Sequence, residues 1–339
     1  MDLLDLDYLK GTISITLVQE ALICACQQGY QRDDLLIQSG IQPELLLSAK
    51  ARVSISQYAA LWVTLANTMN DEFFGMDSHA MRRGSYQLLS KAVLYMDNLN
   101  QALEYIVQFL NLILDDFSGK VFQQENYAFI VIQDLKATKR MFSYATYLML
   151  IHSLMCWLTG QRLLIQKIQL KCTAPEDDHD YKVRFCENIQ YEADENYIQF
   201  DVHYLKLKIK QNQTSWYQFI RQTPDNLLVR FRNPYALNQQ IRKYLSQHRP
   251  SEWPELYELA QQLHMSEATI QRRLKNESTS YQQLKNDIRR DTAIELLTRS
   301  DDSLQQISDI LCFHDVSAFH RAFKKWTGVS PGAYRASQD

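Results

Sequence analysis

At 339 residues the chain is long for one domain and natural for two, and its nine Gly and seven Pro leave room for long helices. The formal charge is −3. From Asp225 onward 16 Lys and Arg stand against 14 Asp and Glu, so any nucleic-acid footprint must come from local clustering and not from bulk charge.

The start, "MDLLDLDYLKG", is acidic and lacks a basic n-region, so it does not read as a secretory signal. Helical periodicity then runs in several segments from about Ile13 to Leu114, punctuated at Gly29, Gly40 to Pro43, Gly75 and Gly84. "DDFSGKVFQQENYAFIVIQ" alternates on both sides of Glu125-Asn126, the pattern of a β-hairpin. The run from Met141 to Thr159 is the most apolar, yet it carries Ser143, Tyr144, Thr146, Tyr147, His152 and Ser153. It reads as a buried core helix, within about Lys139–Gln161, and not as a membrane span. One stripe of that helix holds Met141, Tyr144, Leu148 and Ile151, residues that suit a core or the wall of an effector pocket with a large apolar part. A strand near 166–172, a short helix around 180–186 and strands at about 189–192 and 197–201 complete an α+β pattern with an antiparallel sheet.

The pattern breaks at Gln211–Pro234, and Asn233-Pro234 opens a helix expected to run to about His248. Residues 1–220 are therefore read as an α+β regulatory domain and 225–339 as an all-α domain expected to fold by itself.

This second part contains one short unit twice. Leu256, Leu259, Ala260 and Leu263 fall at helical spacing, and so do Leu304, Ile307, Ser308 and Leu311. Each set is followed by a break and a second short helix, near 267–275 and 316–326. An offset of 49 positions superposes Arg272 on Arg321 and Lys275 on Lys324. The inner sides are apolar, Ile270 with Leu274 and Phe319 with Phe323. The outer faces carry hydrogen-bonding and basic groups, which suit the major groove. Between the units, about Thr279 to Arg299 has no Pro or Gly and predicts a linker helix of about 30 Å. Two recognition helices held by that rod match one turn of B-DNA, roughly 34 Å.

On this geometry Arg272 and Arg321 are candidates for bidentate bonds to guanine, with Ala268, Thr269, Gln271, Ser317 and His320 beside them as base-reading positions. Lys275, Lys324 and Lys325 are candidates for phosphate contacts.

Catalytic and metal chemistry find no support. The chain has no Gly-rich phosphate loop, Gly-x-Ser-x-Gly or His-Glu-x-x-His. Its six Cys lack Cys-x-x-Cys spacing, and its eight His show no ligand spacing. The expectation is no catalytic residue, no metal and no cofactor. Cysteine usage reads as reducing and cytoplasmic.

Residues 256–335 resemble the DNA-binding domain of AraC/XylS-type transcription regulators, through "ELAQQLHMSEATIQRRLK", Arg290 with "AIELL", and "SLQQISDILCFHDVSAFHRAFKKWTGVSPGAYR". Within the last stretch Phe313, Phe319, Phe323, Gly328, Pro331 and Tyr334-Arg335 fall where the family has them. Ser308, Cys312 and Ser278 depart from the family's usual Ala, Gly and Gly. The N-terminal part resembles the arabinose-binding-like domain of a subgroup of these regulators, through Gly40-Ile41 with "ARVSISQ", "LNQALEYIVQFLNLIL" and "VRFCENIQYEADENYIQFD". It differs from the small β-barrel sensor of the family's best-known sugar regulator, so a sugar ligand is not implied. The resemblance implies an effector-responsive activator of bacterial promoters, partnered by double-stranded DNA, RNA polymerase and a small effector, with homodimerisation open. The alternative is an N-terminal domain that serves as a protein-interaction or dimerisation module without a small ligand.

Overall fold

The computed structural model of the protein describes residues 11–228, 237–276 and 279–335. In chain order the elements are β1 (Thr12–Ser14), α1 (Ile15–Gln27), α2 (Arg32–Gln38), β2 (Arg52–Ser54), α3 (Ile55–Met69), α4 (Ser85–Ala92) and α5 (Leu99–Ile113). The hairpin β3 (Phe117–Gln124) and β4 (Tyr127–Asp134) follows, then α6 (Met141–Thr159), β5 (Ile165–Gln169) and α7 (His179–Arg184). Next come β6 (Ile189–Gln190), β7 (Asn196–Asp201), α8 (Gln213–Arg221) and α9 (Asp225–Leu228). The rest is helical: α10 (Leu237–Ser246), α11 (Leu256–Gln262), α12 (Glu267–Asn276), α13 (Tyr281–Arg299), α14 (Leu304–Ile310), α15 (Val316–Thr327) and α16 (Pro331–Arg335).

The chain forms two compact units. One comprises Thr16–Ser39 and Tyr58–Phe231. Its five-stranded sheet has the order β3-β4-β7-β5-β6. The hairpin turns at Glu125, at φ +52°, as the alternation on either side predicts. Neighbouring strands are antiparallel except β5 and β6, which run parallel. The expected antiparallel sheet is thus mixed at one edge, because α7 carries the chain from β5 over to β6 and re-enters in the same direction.

Helix α6 forms the centre of this unit: every residue but Trp157 is buried, and Gly160 closes it in the left-handed conformation, at φ +62°. Two of its hydroxyls bond back onto the helix, Thr146 and Thr159 donating to the carbonyls of Phe142 and Met155. Phe117 of β3 stacks on Tyr147 and meets Tyr144 edge-on. Gly119 lets the strand approach this helix, since a Cβ there would lie 2.3 Å from the Tyr147 hydroxyl.

The other unit holds Arg232–Asp339 together with residues up to Ile15 and Gly40–Gln57. The periodicity read as helical from Ile13 begins instead with a strand: β1 and β2 pair antiparallel, Thr12 opposite Ser54. Three residues are too few to display a period, and these are buried on both faces, so alternation is lost. The β2 strand packs on α13. The junction residues Asn233 and Pro234, and Ser278, lie outside the described residues.

Candidate nucleic-acid interface

The first helix-turn-helix is α11 and α12. Glu255 and Glu258 cap α11 reciprocally. The chain then turns at His264, at φ +51°, and the Met265 amide donates to the Ala260 carbonyl at 2.9 Å. The second pair, α14 and α15, repeats this device. Ser303 and Gln306 form the capping box, Cys312 turns at φ +56°, and the Phe313 amide donates to the Ser308 carbonyl at 3.0 Å. Both turns therefore place a non-glycine residue in the left-handed region, and at Cys312 the family's usual glycine would be unstrained.

The second helices start differently. The Ser266 hydroxyl accepts the Thr269 amide, whereas the Asp315 carboxylate accepts the Ala318 amide at 2.6 Å. That bond, first, and the neighbouring His314 hold the Asp315 carboxyl below its ordinary pKa. One residue separates His264 from Ser266 but two separate Cys312 from Asp315. The first helices accordingly superpose at one position fewer than the second ones.

Packing fixes which faces point outward. Ile270 and Leu274, with Phe319 and Phe323, have no exposed surface at all. The first pair joins a core of Leu237, Ile241, Leu245, Trp253, Leu259 and Leu284. The second lies in an aromatic chain in which Phe313 faces Phe319, Phe319 faces Phe323, and Phe323 meets Tyr334 edge-on at 5.5 Å. On the opposite sides Ala268, Gln271, Arg272 and Lys275 are exposed, as are Ser317, Arg321, Lys324 and Lys325. Thr269 and His320 are half-buried. The Thr269 hydroxyl is 2.8 Å from that of Ser266, so it serves the helix start as well as the outer face. Among the described residues none of the two arginines and three lysines forms a hydrogen bond or ion pair. A cation with no internal partner is available for phosphate or base.

Helix α13, the predicted linker, is capped by Ser280 and spans about 28 Å over its 19 residues. It is tied to both halves. The Tyr281 hydroxyl donates to the Pro254 carbonyl at 2.6 Å. Arg289 donates to the Leu311 carbonyl at 3.2 Å, and its guanidinium lies over the Trp253 ring at 4.9 Å. Arg290, singled out by the family motif, bridges Asp287 and Asp291, and Asp287 in turn accepts from Arg242 of α10. Arg289 and Arg242 escaped the sequence reading, because a partner's position along the chain leaves no periodic trace.

The stripe proposed for effector contact divides. Tyr144, Leu148 and Ile151 are core residues without exposed surface. Met141, at the start of α6, lines a cavity of about 580 Å³.

The region 29–209 matches the arabinose-binding domain of AraC transcription regulators, and 259–337 matches a helix-turn-helix domain. The ornithine utilization regulator of Pseudomonas aeruginosa is 24% identical over 97% of this chain and 98% of its own. The HTH-type transcriptional regulator VqsM of the same organism is 37% identical over 30% of this chain and 31% of its own. The crystal structure of the transcriptional regulator CdpR, also from P. aeruginosa, aligns over 95% of this chain and 97% of its own at 17% identity and a TM-score of 0.33. A regulatory α+β region followed by paired helix-turn-helix units defines a DNA-binding transcription regulator. The chain belongs to the AraC family, which is one of transcription regulators and not of enzymes.

Proposed function

We propose that this chain is a cytoplasmic, effector-responsive activator that reads two successive major-groove segments, one with α12 and one with α15. The observation that carries the reading is the duplicated outer face: Arg272 with Lys275 and Arg321 with Lys324 stand exposed and unpaired behind fully buried apolar sides. Arg272 and Arg321 read bases, assisted by Ala268, Thr269, Gln271, Ser317 and His320; Lys275, Lys324 and Lys325 hold phosphates. The proposed division is 1–220 for sensing and 225–339 for binding DNA, except that Gly40–Gln57 and the first strand belong to the compact unit of the latter, and RNA polymerase is the activator's further partner. A small effector is supported by the arabinose-binding-type domain and by the cavity in its unit. The test is selection of binding sites from random duplexes by the purified chain, followed by footprinting. Two protected major-groove segments on one face of the DNA support the reading, and protection of a single segment overturns it.

A further inference from the structure

The cavity of about 580 Å³ lies within the range that holds small-molecule ligands. A second cavity, between α3, α4 and Ile220–Leu227, has about 170 Å³, little more than a few heavy atoms need. The larger one is walled by the first turn of α6 and by the segment Lys171–Pro175, with Glu20 and Tyr181 completing it.

Three cationic side chains line it, Lys139, Arg140 and Lys171, against a single carboxylate, Glu20. Two of the cations are already engaged. Lys139 pairs with Asp116, and Arg140 pairs with Glu20. Burial alone would raise the Asp116 carboxyl, but hydrogen bonds from Lys136, Lys139 and Ser78 hold it well below the ordinary range, so Lys139 is fixed in place. Lys171 is exposed, and among the described residues its ammonium has no hydrogen bond or ion pair.

Two further observations point the same way. Met141 and Phe142 bring the first turn of α6 to the wall, and no side chain caps that end. The Met141 and Phe142 amides have no helical acceptor, although Ser143 donates to the Arg140 carbonyl at 3.0 Å, and the dipole of a 19-residue helix favours a negative group there. Tyr181 also lines the cavity. It is only 5% exposed, and among the described residues its hydroxyl has no hydrogen-bond partner. The ring is buried while the hydroxyl itself is not sealed off, so it is open to a hydrogen-bonding group in the cavity.

From this geometry we infer that the cavity binds the carboxylate of an amphipathic small molecule. The head group meets Lys171, the α6 amides and the Tyr181 hydroxyl, and the apolar body lies along Phe142, Cys172 and Pro175. One unengaged cation matches a single negative charge better than the dianion of a phosphate. The Lys139–Asp116 and Arg140–Glu20 pairs set the walls and need not break. That this molecule is the regulatory effector rests on the reading proposed above.

The experiment uses the full chain and calorimetry with decanoate and 4-phenylbutyrate, against decanol, 4-phenylbutyramide and inorganic phosphate. Saturable binding of a carboxylate but not of its uncharged match is expected. Lys171→Met should weaken it about tenfold or more, as loss of one charge-assisted bond does. Tyr181→Phe, which fits the same space, should weaken it measurably. Equal binding of alcohol and acid, unchanged affinity in both variants, tighter binding of phosphate, or no binding by either carboxylate overturns the assignment. DNA affinity measured alongside separates the two readings. A carboxylate that binds without altering DNA affinity leaves the pocket intact and removes its regulatory role. DNA affinity that responds to a cell extract equally in wild type and Lys171→Met keeps the regulator and removes the pocket.

Discussion

The Thr12 hydroxyl donates a 2.8 Å hydrogen bond to Asp291 Oδ1, joining the first strand of the chain to the linker helix 279 positions later. Arg52, on the paired strand, holds Thr12 through its hydroxyl and its carbonyl at 2.8 and 2.7 Å. The Arg52 carbonyl accepts from the buried Tyr334 hydroxyl at 2.8 Å. Ser48 donates to the Thr327 carbonyl at 3.0 Å, and Gly328, at φ +80°, has no room for a Cβ beside that serine. The ribbon of β1 and β2 is thereby a structural part of the DNA-binding unit.

Thr12→Val and Tyr334→Phe keep shape; the first removes the hydroxyl's bonds to Asp291 and from Arg52, the second removes the bond to the Arg52 carbonyl. Both should lower unfolding free energy, by about 1 kcal/mol for each bond lost. A fragment beginning at Asp225, which lacks the ribbon, should melt below the full chain's helical transition. Denaturant unfolding followed by tryptophan fluorescence reads this; unchanged midpoints in both variants would show the ribbon to be ornamental.

On DNA, Arg272→Ala should cost about 1–3 kcal/mol at a selected site and relax preference at one base pair. Lys324→Ala should weaken all sequences alike and reduce the salt slope by about one. Affinity titrations across salt concentrations distinguish the two. A change confined to the salt slope in both variants would reassign Arg272 to the backbone.

The two departures from the family in the second unit should each be costly to stability. Ser308 is fully buried and its hydroxyl has no partner among the described residues, so Ser308→Ala should stabilise by about 1 kcal/mol. Cys312 occupies the left-handed region at φ +56°, so Cys312→Gly should gain a few tenths to about 1 kcal/mol. Neither residue lies on the outer face, and DNA affinity should stay put. Destabilisation by Ser308→Ala would mean that the hydroxyl has an acceptor after all.

His152 supplies a pH dependence. It is buried in α6 and shares a 2.8 Å hydrogen bond with the Leu163 carbonyl. Burial, chiefly, lowers its pKa from 6.5 to about 4. The unfolded chain therefore binds this proton first as pH falls. The stabilisation is complete above about pH 6.5 and is lost progressively towards pH 4, on the order of 3 kcal/mol in all. His152→Gln can keep a donor towards Leu163 without titrating. Its stability should fall less than that of the wild type between pH 7 and pH 4; parallel curves would refute the assignment.

If the effector acts through DNA binding, coupling is reciprocal. A bound carboxylate that changes DNA affinity by about 1–3 kcal/mol must itself bind more or less tightly by the same factor when operator DNA is present. Calorimetry with and without the selected duplex measures it, and equal affinities would place control elsewhere, in polymerase contact or oligomerisation.

What the sequence by itself determined is local. Helix period set α11, α12, α14 and α15, the duplicated Arg and Lys marked their outer faces, and alternation around Glu125-Asn126 set the hairpin, because each of these signals is complete within a dozen residues. Tertiary structure alone decided the rest. Two three-residue strands pair across some forty positions and then join a helix near the other end of the chain, and β6 runs parallel beside β5. The wall of the cavity is assembled from three separate stretches, Glu20, 138–142 and 171–181. Such arrangements depend on which buried surfaces and unsatisfied polar groups find each other when the chain closes, and distance along the sequence carries no record of that choice.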